Sequence, residues 1–192
     1  MKKKFFIAGV DEAGRGSWIG PVFSAAVILK KTINKNILKD SKTLSYKNRK
    51  FLYNCIKKNS IYAIGKASVK EIEKKNILQA TLLSMKRAIK KLKKKPNLIL
   101  IDGNKYPKIK TYKIRTIIKG DQTIPAISAA SIIAKVERDK YIEKLSKKFK
   151  KYSWETNFGY GTKKHQIALK KFGVTPHHRK TYKPIYKILS QK

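Results

Sequence analysis

Asp11-Glu12-Ala13-Gly14-Arg15-Gly16 comes directly after a short apolar run, Phe5 to Val10. The run reads as a buried strand, and two adjacent carboxylates stand where it stops. Neighbouring strand residues point to opposite faces, so both acids reach one spot only if the strand ends there. Gly14 and Gly16 admit positive φ and a close backbone, while Arg15 supplies a planar fork of donors suited to phosphate. An Asp-Glu pair alone reads equally well as a turn with an incidental surface ion pair. All six residues, straight after an apolar strand, favour a site.

The surroundings make these acids conspicuous. The 192 residues carry 48 lysines and arginines against 11 acids, a net charge of +37. Such an excess attracts polyanions, nucleic acid first and anionic membrane or acidic protein behind it. Forty-two of the basic residues are lysine, and isoleucine and asparagine are also frequent. All three have A/T-rich codons, so the charge supports nucleic-acid binding without locating it. The length suits one sizeable core, and no apolar stretch is long enough to span a membrane. Residues 1–10 are too short in apolar run, and lack the cleavage pattern, for a signal peptide. The single cysteine, Cys55, excludes an internal disulfide framework and fits a reducing, cytoplasmic setting.

Outward from the loop, Val22 to Leu29 reads as a second strand, antiparallel to the first and covered on both faces. Asp40-Ser41-Lys42 leads to Ser45 as N-cap of a helix to about Lys58, with Phe51, Leu52, Cys55 and Ile56 on its inner face. That face places Cys55 in the core, against a nucleophilic role. Ile61 to Val69 reads as a third strand and Glu71 to Asn76 as polar connection. A helix follows from Ile77 to about Lys94, with the lysines of 90–95 at its C-terminus, where cations offset the helix dipole. Leu98 to Ile101 is a fourth strand, running into Asp102-Gly103-Asn104. Tyr112 to Ile118 is a fifth, ending at Lys119-Gly120-Asp121. Small residues from Ser128 to Ala134 open a helix, 127 to about 150, in close contact with the sheet. Ser153 to Thr162 is an aromatic loop, followed by a short helix at 164–172 and a last apolar segment at 185–189. With no repeat and no linker, residues 1–192 read as one domain.

Three apolar strands thus meet carboxylates beside glycine: Asp11 with Glu12, Asp102, and Asp121. Active sites of α/β sheets form beyond the carboxyl ends of the strands. If the first and fourth strands are parallel neighbours, Asp11 and Asp102 lie side by side and Asp121 closes the group. Clustered carboxylates repel, and a hard divalent cation such as Mg²⁺ relieves the conflict while keeping water and a phosphate oxygen bound. Two such ions can activate water and stabilise the leaving oxygen in phosphodiester hydrolysis. Three histidines far from the lone cysteine in sequence do not suggest zinc. A 3′–5′ exonuclease or junction resolvase shares such acids without explaining the Gly-Arg-Gly loop. A non-catalytic basic RNA-binding protein explains the charge and not the acids.

Taken in order, Asp11 to Gly16 with Gly20-Pro21-Val22, Asp40-Ser41-Lys42, Asp102-Gly103-Asn104, Gly120-Asp121, Ser128 to Lys135 and Gly159-Tyr160-Gly161-Thr162 resemble the type 2 ribonucleases H, the bacterial ribonuclease HII family. The matches span almost the whole chain. The resemblance implies an α/β, ribonuclease H-like fold: a mixed five-stranded sheet flanked by helices, with a C-terminal helical segment from about 150 to 192 that contacts substrate. It implies Mg²⁺- or Mn²⁺-dependent cleavage, with two ions, of RNA in RNA–DNA hybrids and incision 5′ of ribonucleotides embedded in duplex DNA. It assigns Asp11, Glu12, Asp102 and Asp121 to metal binding and catalysis. Gly14, Arg15 and Gly16 become the loop that reads the ribose 2′-hydroxyl, and Tyr160 the ring that stacks near the DNA–RNA junction. Lys42, and with it Lys135 and Arg138, becomes a candidate phosphate contact. Only ten residues precede Asp11, unlike type 3 enzymes with their long N-terminal extension. Ser17-Trp18-Ile19 departs from the small or proline residues common there. The tail has no aromatic-pair clamp-binding motif, and a monomer is expected.

Overall fold

In the computed structural model, residues 4–31, 38 and 46–191 are described. Five strands form one mixed sheet: β1 (Ile7–Ala13), β2 (Val22–Leu29), β3 (Ser60–Ala67), β4 (Leu98–Asp102) and β5 (Lys113–Ile117), in the order β3-β2-β1-β4-β5. β2 runs antiparallel to β1 and β3, whereas β4 lies parallel to β1 and β5 parallel to β4. As its apolar run, interrupted only by Ser24, implies, β2 is buried along all but its last residue.

Helices cover both faces. α1 (Tyr46–Lys58) and α4 (Pro125–Lys148) lie on one, where Leu52, Tyr53 and Ile56 meet Ala129, Ile132 and Ile133 over Ala25 and Val27. On the other, α2 (Val69–Lys90) packs Met85, Ala88 and Ile89 against Val10, Ile99 and Ile101. The small-residue stripe of α4 makes the close contact its composition predicts. A Cβ added at Gly9 of β1 would stand 2.1 Å from the backbone of Ala126, so only glycine lets the start of α4 sit there. α4 therefore lies over the end of β1 that carries the acids.

The C-terminal part forms a satellite layer: a 3₁₀ turn at 150–152, α5 (Trp154–Asn157), α6 (Lys163–Phe172) and α7 (Lys183–Leu189). Its core is Trp154 and Tyr152 packed on Ile142 and Leu145 of α4 and on Ile19, beyond the glycine loop. Among the described residues no helix is long and apolar enough to cross a membrane.

Several boundaries differ from those read in the sequence. α2 begins at Val69, because Ser68 and Glu71 make a reciprocal capping box in the stretch expected to be a polar connection. Asn76 interrupts it at φ 65 and caps the second half through Gln79 N–H, and the helix ends at Lys90, ahead of most of the lysine run. In α1 the inner face is Leu52, Tyr53 and Ile56. Phe51 is exposed and Cys55 only half-buried, since burying Tyr53 turns both away from the sheet. The aromatic loop contains the α5 turn. Asp40, Ser41, Lys42 and Ser45 lie outside the described residues.

Candidate active site

The parallel register of β1 and β4 does what the strand-end pattern requires. Val10 pairs with Ile101, so Asp11 and Asp102 follow as the next residues of two neighbouring strands. Asp11 is buried, and its carboxylate accepts hydrogen bonds from Glu12 N–H at 2.7 Å and from the Ser131 hydroxyl on α4. Burial first, then the charges of Glu12 and Asp102, push the Asp11 carboxyl well above its ordinary value. Burial also raises Glu12, against the pull of Arg15 at 3.3 Å, and the Asp102 charge adds to the rise. Asp102 Oδ1 accepts from Gly120 N–H at 2.7 Å, which ties β4 to the residue before Asp121. Asp121 is buried in the first turn of α3 (Gly120–Thr123), a turn packed on α4 and β4, and not at a strand end.

The fold thus sets Asp11, Glu12 and Asp102 within one another's field, with Asp121 one residue from the Asp102 contact. Among the described residues no three Asp, Glu, His or Cys groups are already closed around a cation-sized point. Arg15 draws on Glu12 and the Gly120 amide on Asp102. The donor chemistry still fits a hard divalent ion: every group is a carboxylate, and two are held up by burial and mutual repulsion that a cation would relieve.

Beside the acids lies the glycine loop. Gly14 has φ +93, and a Cβ there would press on Arg138 Nε at 3.3 Å. Tyr160 covers the loop from the other side, with Cε1 at 3.8 Å from where a Gly16 Cβ would be. Glu12, Gly14, Ser131, Lys135 and Tyr160 line one open cavity of about 270 Å³. A larger groove, lined by Lys75, Lys86 and Tyr106, holds none of the residues singled out in the sequence. Tyr160 is 38 % exposed, so its ring is available to a ligand. Lys135 Nζ sits 5.7 Å from that ring and pairs with Asp139 at 3.0 Å.

Arg138 does not reach the surface. It is fully buried, stacks under Tyr160 at 5.0 Å and donates to the Phe158 carbonyl and Asp139. The expected phosphate contact is therefore a brace, because one arm of its fork goes to the turn that carries Tyr160 and the other to Asp139. A second buried arginine was not foreseen. Arg179 donates to the carbonyls of Gly20 at 3.0 Å and Arg15 at 2.9 Å, and Tyr182 donates to the same Arg15 carbonyl. Trp18 N–H donates to Gly159 O, Gly20 N–H to His177 O, and Arg179 N–H to Trp18 O. Ser17, in the departing Ser-Trp-Ile stretch, is buried, and its one hydroxyl proton is shared between the Ile19 carbonyl at 3.1 Å and the Gly159 carbonyl at 3.2 Å. The only signal for Arg179 in the sequence is an arginine after two histidines in a lysine-dominated chain.

A family model described as Ribonuclease HII matches residues 8–188. Ribonuclease HII of Pelagibacter ubique is 66 % identical over 183 residues, covering 95 % of this chain and 98 % of that protein. Among solved structures, the ribonuclease H2 of Pyrococcus horikoshii superposes with a TM-score of 0.80 at 27 % identity, covering 97 % of this chain and 98 % of that one. Bst-RNase HIII, solved in complex with Mn²⁺, superposes with a TM-score of 0.74 over 97 % of this chain and 70 % of its own. At 17 % identity that likeness bears on the fold alone.

Proposed function

Since the chain belongs to the ribonuclease HII family, we propose that it hydrolyses the RNA strand of RNA–DNA hybrids and incises duplex DNA on the 5′ side of a single embedded ribonucleotide. One juxtaposition supports this reading best. Glu12, Gly14 and the Tyr160 ring line one cavity, and the β1–β4 register sets Asp11 and Asp102 side by side next to Glu12.

In this reading each part has a separate task. The ribose 2′-hydroxyl both donates and accepts hydrogen bonds, and the glycine loop presents main chain to it without side chains in the way. Tyr160 packs on the neighbouring sugar, a contact worth roughly 1–3 kcal/mol by analogy with aromatic stacking on nucleic acid. Lys135, in the same cavity, and Lys42 lie within the phosphate-contacting set.

Asp11, Glu12, Asp102 and Asp121 would hold Mg²⁺ or Mn²⁺. Two such ions, when bound, supply an activated water and neutralise charge on the leaving oxygen. Asp11 is held by Ser131 and by the Glu12 amide, so its carboxylate keeps its orientation while Glu12 is free to exchange Arg15 for a ligand. The product pair is a 3′-hydroxyl and a 5′-phosphate. The C-terminal segment from about 150 carries Tyr160 and is read as part of the substrate face.

The test compares duplexes with one ribonucleotide, all-DNA duplexes and uniform hybrids, each with and without divalent metal. Cleavage of the first and third only, and only with metal, is expected. Equal cleavage of all-DNA duplex would leave the other carboxylate nucleases as the better reading. Tyr160→Ala is expected to cost roughly ten- to a hundred-fold in rate, the kinetic equivalent of about 1–3 kcal/mol. Phe at 160 retains most activity if stacking dominates.

A further inference from the structure

Behind Tyr160 lies a buried polar chain that the reaction does not use directly. His165 on α6 and His178 are both fully buried, with Nε2 atoms 3.2 Å apart. Trp154, also fully buried, donates its indole N–H to His165 Nε2 at 3.1 Å. Thr175 donates its backbone N–H to His178 Nδ1 at 2.9 Å. On the far side, His165 Nδ1 is 2.9 Å from the carbonyl oxygen of Tyr160.

These contacts leave one assignment of protons. An indole N–H only donates, so His165 Nε2 must be a lone pair and the ring's hydrogen must be on Nδ1. That hydrogen points at the Tyr160 carbonyl, which only accepts. A backbone N–H likewise only donates, so His178 Nδ1 is a lone pair and its hydrogen is on Nε2, aimed at His165. Both rings are therefore neutral and in opposite tautomers. A second proton on His165 would face the indole and His178 hydrogens. A second proton on His178 would face the Thr175 amide hydrogen, with the Thr175 hydroxyl oxygen, also 2.9 Å away, as its one acceptor. Burial opposes the charged form of both rings in the same direction.

The Tyr160 peptide is gripped from its other end too, since Tyr160 N–H donates to the Asn157 carbonyl at 2.9 Å. The residue thus has both main-chain groups fixed and its ring left partly open at the cavity. Resting on the role proposed above for Tyr160, we propose that His165 is its positioning residue: with its tautomer set by Trp154 and His178, its Nδ1–H holds the Tyr160 carbonyl so that the ring stays against the glycine loop. His178 acts one step further back, as the group that makes His165 a donor toward Tyr160.

The first test needs no variant. Long-range ¹H–¹⁵N spectra of the full-length wild-type protein at pH 7 should show His165 protonated at Nδ1 and His178 at Nε2. The reverse assignment, or a His165 ring averaging both tautomers, overturns the proposal. The second test is incision of a duplex with one ribonucleotide. His165→Phe keeps the ring and loses the donor, and a drop of ten-fold or more is expected. His165→Asn puts an amide N–H near the place of Nδ1 and should recover most of that loss. In the His165→Phe background, Tyr160→Ala should add little, because the ring is already misplaced. A merely structural histidine gives losses that multiply, and that outcome, or a fully active His165→Phe, contradicts the proposal. If His165→Phe does not fold, the wild-type tautomers and the His165→Asn activity decide. If wild type leaves the duplex uncut, the role of Tyr160 fails first, and the tautomers alone then judge whether His165 holds its carbonyl.

Discussion

The strand-end acids and the C-terminal brace are built on opposite principles. At the ends of β1 and β4, like charges are pressed together in a buried place. Burial and the charges of Glu12 and Asp102 oppose ionisation of Asp11, burial and the Asp102 charge oppose it at Glu12, and Arg15 offsets it only at Glu12. The brace behind Tyr160 and the glycine loop is instead a dense hydrogen-bond network, although Arg138 Nε and Arg179 Nη2 stay buried without a partner. Arg179, Tyr182, Arg138, His165 and His178 hand hydrogen bonds to carbonyls and ring nitrogens across the chain, from residue 15 to residue 182. Repulsion is tolerated where, on the proposed function, a cation and a phosphate would be received, and a network of hydrogen bonds surrounds it where geometry must not move.

Removing one charge should break this contrast most sharply. Asp102→Asn is expected to abolish cleavage while leaving the metal-free protein at least as stable as wild type, because the repulsion on Asp11 and Glu12 falls. Divalent metal should raise the melting temperature of wild type by mass action and do so much less for the variant. A clear loss of stability in Asp102→Asn would assign that carboxylate a structural role through its Gly120 contact instead. On the brace side the same kind of edit should act in reverse. Arg179→Ala strips its donor from the Gly20 carbonyl and leaves the Arg15 carbonyl to Tyr182 alone, and a loss on the order of 1–3 kcal/mol in chemical denaturation is expected. Stability within about 0.5 kcal/mol of wild type would show the brace to be dispensable.

The two regions also answer pH with opposite signs. Raised carboxyl values at Asp11 and Glu12 mean that their repulsion weighs on the fold near neutrality and is relieved as pH falls toward those values. His178 is pushed down from 6.5 to about 3, chiefly by burial. The unfolded chain binds its proton near pH 6.5 and the folded chain not until about 3, so stability is lost as pH falls across that window. One such ring carries on the order of 4–5 kcal/mol when the whole window is crossed. Denaturation series between pH 7.5 and 4 should therefore show a steeper acid loss in Asp102→Asn than in wild type, since the compensating relief at Asp11 is smaller. Parallel curves would mean the acids are not coupled. The smallest effect concerns the diffuse lysine charge. Affinity for any duplex should fall steeply with salt through counterion release. On the proposed function, any preference for ribonucleotides over all-DNA should change little, because the proposal rests it on the loop and Tyr160.

What could be read in the sequence follows the same division. Strand order around the acids was legible because Asp11, Asp102 and the apolar runs before them are local patterns, and parallel pairing of β1 with β4 is the one arrangement that brings them together. The α4 stripe of Ser128 to Ala134 likewise announced its close contact with the sheet. Ser131 was visible only as a small residue, although its hydroxyl supports Asp11. Arg138 was misread as a phosphate contact because a helical arginine looks the same on a solvated face as under a tyrosine ring. Cys55 was assigned to the core by helical spacing that Tyr53 redirected. His165, His178 and Arg179 carried no local signature, since their partners are residues 3 to 164 positions away and several are main-chain groups that no sequence displays.

The most direct measurement is a single-turnover incision assay on three otherwise identical duplexes: one carrying a single ribonucleotide, one all DNA, and one uniform RNA–DNA hybrid. With Mg²⁺ or Mn²⁺ the expected result is a cut 5′ of the lone ribonucleotide, leaving a 3′-hydroxyl and a 5′-phosphate, cleavage of the hybrid, an intact all-DNA duplex, and no reaction after chelation. Cleavage of the hybrid with the single-ribonucleotide duplex left whole would contradict the role given to the glycine loop and Tyr160.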